Sequence, residues 1–254
     1  MDLQLAGKTA VVTAASGGIG GAVVRTLLGE GVRVLAADVA VSTELKESGA
    51  VTVEADLLTE EGVEALRRAA EAEFDGIDLL VNVVGGMSGL DITDFSAITD
   101  ETWERAFRLN FYSSVRITKA LESRLRESVV NVSSSVARWP GQGPYYYGSS
   151  KAALTAWAKA LADEYGKRGI RVNTVSPGLI RTPLWDEYGP KVSAEYGMEF
   201  DEFATQITTL AQVTAGRWGT GQEVADLIVF LSSPVAGYIT GADYLIDGGM
   251  QKVL

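Results

Sequence analysis

Tyr147 and Lys151 stand four residues apart in Tyr147-Gly148-Ser149-Ser150-Lys151, at the entry to a stretch with helical apolar spacing. An i, i+4 pair shares one helix face, so the phenol and the ammonium are expected side by side. A neighbouring cation favours phenolate and lowers its pKa from about 10 toward neutrality, where a general acid/base has to work. Tyr145 and Tyr146 lack this partner, because Ser149 and Ser150 follow them at the same spacing. The chain contains no histidine and no cysteine, which excludes imidazole and thiolate catalysis, disulfides and thiolate metal sites; no metal is expected. Upstream, Asn131-Val132-Ser133-Ser134-Ser135 closes an apolar run and brings the Ser134 hydroxyl to the edge of a sheet where open α/β folds bind ligands. A surface tyrosine lying along a lysine stem, and a serine closing a strand, are the plainer readings of each part alone.

A second constellation lies near the N-terminus. Thr13-Ala14-Ala15-Ser16-Gly17-Gly18-Ile19-Gly20 follows a strand-like run and opens a helix-like one. In that context glycines let a backbone approach a pyrophosphate at a helix N-terminus. The second strand ends in Asp38, about 20 residues beyond the turn, where a carboxylate can accept hydrogen bonds from both adenosine ribose hydroxyls and would repel a 2′-phosphate. Neither Ser16 nor Gly17 is basic, and Val39, Ala40 and Val41 supply no cation. These residues point to NAD over NADP.

The elements that must position these groups alternate in type. Residues 9–13, 32–37, 51–55, 79–83, 129–133 and 171–176 are short β-branched runs, separated by helix-period segments at 20–30, 60–74, 102–123 and 149–167. This is the signature of βαβ units and a parallel sheet. The strands are apolar almost without interruption, so helices are expected on both faces. Gly31, Gly76 and Gly169 sit where helix C-terminal glycines belong. Residues 184–216 break the rhythm, carrying Trp185, Tyr188, Tyr196, Met198, Phe200 and Phe203 among charges, as short helices over a pocket or as core and subunit contacts would.

A length of 254 residues suits one α/β domain, 1–254. The net charge of -11 argues against nucleic-acid or anionic-membrane partners. With no signal-peptide pattern and no apolar run of membrane-spanning length, the expected setting is the cytoplasm.

Taken together these residues resemble the short-chain dehydrogenase/reductase family, in its subgroup of about 250 residues, from roughly residue 5 to residue 249. The family's glycine turn maps onto Thr13 to Gly20, its Asn-Asn-Ala-Gly onto Asn82-Val83-Val84-Gly85, its helix asparagine onto Asn110, and its serine onto Ser134. Pro177-Gly178 matches the segment after the catalytic helix, and the runs at 216–219 and 238–249 match its C-terminal signatures. Two positions depart: Ala14 replaces the first glycine of the turn, and Val83 replaces the second asparagine. Ala14 is strained if its position needs positive φ, and apolar packing is expected to replace the lost amide of residue 83.

The resemblance implies a single-domain Rossmann fold, a doubly wound parallel sheet of about seven strands with helices on both faces. It implies hydride transfer between NAD and a secondary alcohol or ketone, with the catalytic set Asn110, Ser134, Tyr147 and Lys151. Ser134 would hold the substrate oxygen, Tyr147 would exchange its proton, Lys151 would tune Tyr147 and bind the nicotinamide ribose, and Asn110 would hold a water leading from that lysine to solvent. Cofactor contacts would come from Thr13, Ser16, Gly18, Ile19, Gly20, Asp38, Asp56, Leu57, Asn82, Tyr147, Lys151, Pro177, Ile180 and Thr182. The substrate pocket is expected between Ser134, the Arg138-Trp139-Pro140 loop, Met87, Ser88 and a lid at about 184–216, suiting an alicyclic or aromatic alcohol. The resemblance also implies a homotetramer, and the helix around 152–158, apolar nearly all round, fits either a subunit interface or burial within its own monomer. The competing readings are an NADPH-dependent ketoreductase acting on carrier-bound or polyketide-like ketones, which Asp38 opposes, and a dinucleotide-binding regulator without catalysis.

Overall fold

The computed structural model describes residues 1–87, 94–139 and 143–252. In chain order the strands are β1 (Thr9–Thr13), β2 (Arg33–Asp38), β3 (Val51–Glu54), β4 (Ile77–Asn82), β5 (Leu125–Val132), β6 (Arg171–Pro177), β7 (Ile180–Arg181), β8 (Gly219–Thr220) and β9 (Asp243–Ile246). The helices are α1 (Gly18–Gly29), α2 (Thr43–Glu47), α3 (Glu60–Glu73), α4 (Asp100–Phe107), α5 (Ser113–Leu121), α6 (Tyr145–Gly166), α7 (Pro183–Glu195), α8 (Phe200–Leu210) and α9 (Gly221–Ser232). Seven strands form one parallel sheet in the order β3-β2-β1-β4-β5-β6-β9, while β7 and β8 pair separately.

The strand order reverses between β1 and β4, the position at which a doubly wound sheet opens a crevice beyond its carboxyl ends. Both faces are covered because both are apolar. Val12, Val34, Val81 and Val130 face α1 and α9, through Val23, Leu27, Val224 and Ile228. Val11, Leu35, Leu80 and Val129 face α3, α5 and α6, through Leu66, Ile117 and Ala158. Removing a valine-sized side chain from such a layer costs on the order of 2–4 kcal/mol.

Several boundaries differ from the sequence expectation for identifiable reasons. Strand β4 starts at Ile77, because Asp78 sits in the strand and accepts hydrogen bonds from the N–H (2.8 Å) and hydroxyl (3.0 Å) of Thr9. Strand β5 starts at Leu125, although Arg126 and Glu127 interrupt the apolar pattern. Helix α6 begins at Tyr145 despite Gly148, so Tyr147 lies within its first turn. The expected helix 102–123 is three pieces, with a π-helical turn, Arg108–Tyr112, between α4 and α5. Gly31 and Gly169 take the left-handed conformation of a helix C-terminus, at φ 77° and 75°. Gly76 instead makes room for a guanidinium: a Cβ there would lie 2.0 Å from Nε of Arg126.

The 184–216 excursion folds as α7 and α8 around its own apolar cluster. Phe200, Phe203 and Trp218 pack with Trp185, Val192 and Met198, and the Trp185 and Phe200 rings are stacked at 6.4 Å. Among the described residues no helix is long and apolar enough to cross a membrane.

Candidate active site

The phenol of Tyr147, at the start of α6, is hydrogen-bonded to the Ser134 hydroxyl just past the end of β5. The strand end and the helix start thus present two hydroxyls to one crevice. Burial pushes the Tyr147 pKa up, and the Ser134 hydrogen bond partly opposes that rise. One turn further along α6, Lys151 is 2% exposed and its Nζ donates to the Val132 carbonyl at 2.9 Å. Burial lowers its pKa to about 7.

Desolvation of both groups works against the lowering of the Tyr147 pKa expected from Lys151. Burial disfavours the charged form of both groups, raising the phenol and lowering the amine, and the ammonium is directed at a backbone carbonyl. Val132 was not expected to matter, and a backbone acceptor on an apolar residue leaves no signal in a sequence.

Asn110 is fully buried in the π-helical turn. Its Nδ2 donates to the carbonyls of Gly86 (3.0 Å) and Ala106 (3.1 Å), and its Oδ1 accepts the Gly86 N–H at 2.8 Å. The two-way clamp on Gly86 lays the segment after β4 across Lys151. Gly85, at φ 154°, passes so close that a Cβ would lie 2.5 Å from Nζ and 2.9 Å from Asn110 Oδ1. Asn110 therefore acts first on the backbone, and that backbone covers the lysine.

The glycine turn is built by contact. A Cβ on Gly20 would lie 2.1 Å from the Ala14 carbonyl oxygen, and one on Gly18 would lie 2.7 Å from Thr182 Cβ, so both positions need glycine. Ala14 takes φ 50°, the strained left-handed conformation anticipated for it. Gly17 precedes α1 without a side-chain cap, so the first-turn N–H groups at Gly18 and Ile19 face an anion-binding position. Val83 packs into the α1/α9 apolar layer, and its N–H is taken by the Thr13 hydroxyl at 3.0 Å.

Asp38, at the carboxyl end of β2, accepts the Ser16 N–H at 2.8 Å through Oδ2. The Ser16 hydroxyl is spent on the Ala40 carbonyl (2.9 Å) and the Ser42 N–H (3.1 Å). Asp56 is exposed and accepts the Leu58 N–H at 2.9 Å, while the Leu57 side chain is buried in the core. Asn82 turns its amide inward, donating to Thr118 (3.0 Å) and Asn131 (2.9 Å), so its backbone is what it can offer at the rim. Thr13 likewise points its hydroxyl at the end of β4. Pro177 ends β6, Ile180 is buried in β7, and Thr182 stands at the entry of α7 without capping it, its methyl against Gly18.

The crevice wall departs from expectation in two places. Arg138 is engaged with the edge strand, its Nε donating to Asp243 Oδ2 at 2.9 Å, because that carboxylate is its nearest counter-charge. Trp185, Phe200 and Phe203 stack within the 184–216 unit, whereas Leu184, Tyr188 and Tyr196 are exposed. Met87 is half-buried; Ser88 and Pro140 lie outside the described residues.

A hydroxyl pair backed by a buried lysine, at the same carboxyl edge of a doubly wound sheet as a glycine turn, is the arrangement of an oxidoreductase that works with a nicotinamide dinucleotide. Comparison with known proteins agrees. The chain belongs to the short-chain dehydrogenase/reductase family: residues 13–251 match the family model described as enoyl-(acyl carrier protein) reductase. It is similar to a 3-oxoacyl-[acyl-carrier-protein] reductase of Vibrio cholerae, 33% identical over 269 aligned positions that cover 99% of this chain and 100% of the relative. Nodulation protein G of Rhizobium meliloti is 30% identical, covering 98% and 99%. Among solved structures, L-sorbose reductase from Gluconobacter frateurii, determined with NADPH and L-sorbose, superimposes with a TM-score of 0.92 at 30% identity over the whole of both chains.

Proposed function

We propose that the protein is a cytoplasmic NAD-dependent oxidoreductase interconverting a secondary alcohol and its ketone, with Tyr147 as the proton carrier. The hydrogen bond between Tyr147 and Ser134 carries this reading, because it puts an acid and a second hydroxyl where one carbonyl oxygen can touch both. When bound, the dinucleotide supplies the carbon that accepts or gives the hydride.

Ser134 holds the substrate oxygen. In the reducing direction Tyr147 gives its phenolic proton to that oxygen; in the oxidising direction the phenolate takes it back from the alcohol. Lys151, one turn along α6, favours phenolate when protonated, and glycine at position 85 lets the backbone lie against its Nζ with no side chain between. The first turn of α1 holds the pyrophosphate and Asp38 the adenosine ribose. The residues fit this group: glycine at 18 and 20 keeps the turn before α1 tight against Thr182 and the Ala14 carbonyl, and the carboxylate at 38 has no cation beside it at positions 39–41. We propose residues 184–216 as the lid, a cyclic or aromatic alcohol as substrate, and a homotetramer as the assembly.

The reductases among its relatives favour a second reading, a ketoreductase for carrier-bound 3-oxoacyl chains using NADPH. Turnover measured side by side with NAD(H) and NADP(H), on cyclic and aromatic alcohols and ketones and on a 3-oxoacyl thioester, separates the two. Preferred NAD(H) and a small alcohol support the first reading. A clear NADPH preference with the thioester replaces it by the second.

A further inference from the structure

Strands β2 and β3 end side by side, with Asp38 and Glu54 paired in register. Their side chains therefore emerge on the same side of the sheet at its carboxyl edge. Between β2 and α2 runs a short loop whose successive N–H groups, at Ala40, Val41 and Ser42, form the kind of backbone array that binds anions. All three are taken by the protein's own oxygens. Asp38 Oδ1 accepts from Ala40 at 3.4 Å, Glu54 Oε2 from Val41 at 3.3 Å, and Ser16 Oγ from Ser42 at 3.1 Å. The neighbouring cation, Arg25, is paired with Glu44 at 2.7 Å.

We propose that Glu54 is a second determinant of cofactor choice: together with Asp38 it fills the anion position of the loop, so that a dinucleotide carrying a 2′-phosphate meets two carboxylates where the N–H groups of Ala40 and Val41 are already taken. The inference rests on the preference for the unphosphorylated cofactor proposed above and assigns part of it to a residue on a different strand. Asp38 acts by accepting from the ribose and by its charge. Glu54 is exposed and accepts from the loop at Val41, so its contribution is charge repulsion and occupancy of the Val41 N–H. A 2′-phosphate is close to dianionic at neutral pH, which makes each added carboxylate count twice.

The test is direct binding of NAD+ and NADP+ to the full-length protein by calorimetric titration, for the wild type, Glu54→Gln, Asp38→Asn and the double variant, with the ratio of the two dissociation constants as readout. Glu54→Gln is expected to shift the ratio toward NADP+ by about two- to five-fold, the range of one exposed charge interaction. It should add its own factor in the Asp38→Asn background. Raising the salt concentration should also narrow the wild-type ratio by screening the two carboxylates, a measurement that needs no variant. An unchanged ratio in Glu54→Gln, or an equal change for both dinucleotides, overturns the assignment. If the wild type prefers NADP+ while Glu54→Gln still moves the ratio, the cofactor reading fails and the role of Glu54 stands. If the wild type prefers NAD+ and Glu54→Gln moves nothing, the reverse holds.

Discussion

Lys151 gives its ammonium hydrogen bond to the carbonyl of Val132, at 2.9 Å, and not to the phenol of Tyr147. Residue 132 is two positions before the serine that does hold that phenol, so strand β5 positions both ends of the catalytic helix's first turn. Both side chains are held by one strand end, and burial disfavours the charged form of each.

That burial has a pH signature. The folded-state pKa of Lys151 is depressed to about 7 from 10.5, so folding favours the neutral amine. The stability this group contributes is present above pH 10.5 and is lost as pH falls toward about 7, below which the loss is complete. A Lys151→Met variant lacks the titration. Urea denaturation of both proteins should show the wild type losing stability relative to the variant between pH 10.5 and about pH 7, with a constant difference below. A difference independent of pH across that range would show that the amine is not desolvated.

Ala14 stores strain in the glycine turn before α1. A left-handed alanine costs on the order of 1–2 kcal/mol, and a glycine there gives back roughly 0.5–1 kcal/mol in unfolded-state entropy. Ala14→Gly is therefore expected to raise stability by about 0.5–1 kcal/mol, read by chemical denaturation, while any larger residue lowers it. A loss of stability on introducing glycine would place the backbone of residue 14 outside the left-handed region.

Asn110 should report on the lysine through the backbone. Asn110→Ala removes three hydrogen bonds in a fully buried setting, the two-way clamp on Gly86 among them. Expected are a stability loss of about 1–3 kcal/mol and a fall in kcat larger than the change in KM. Wild-type kcat in a variant that is measurably less stable would separate the clamp from the chemistry.

The sequence reading captured the architecture because its strongest signals are periodic. Apolar runs in β1 and β2 marked buried parallel strands, Tyr147 and Lys151 stood out by type and spacing, and the family resemblance singled out Ser134. It failed where structure depends on single contacts. The π-helical turn at Asn110 inserts a register change that leaves the apolar pattern of 102–123 intact. The five-residue helix α2, held by its Ser42 cap, is too short to show a period. Glu54 carried no motif, since its meaning comes from a register partner on another strand. The aromatic residues of 184–216 were legible as a cluster; their packing against Trp218 was not, because that partner lies outside the segment.

In the proposed reaction the Tyr147 phenol carries the proton. Tyr147→Phe keeps the ring and its packing against the cluster of Ala106 and Tyr146 while removing the one oxygen that Ser134 holds. With NAD+ and the best substrate of the alcohol panel, kcat should fall by about a hundred- to ten-thousand-fold, with dinucleotide affinity and melting temperature close to wild type. Turnover undiminished in Tyr147→Phe would contradict it.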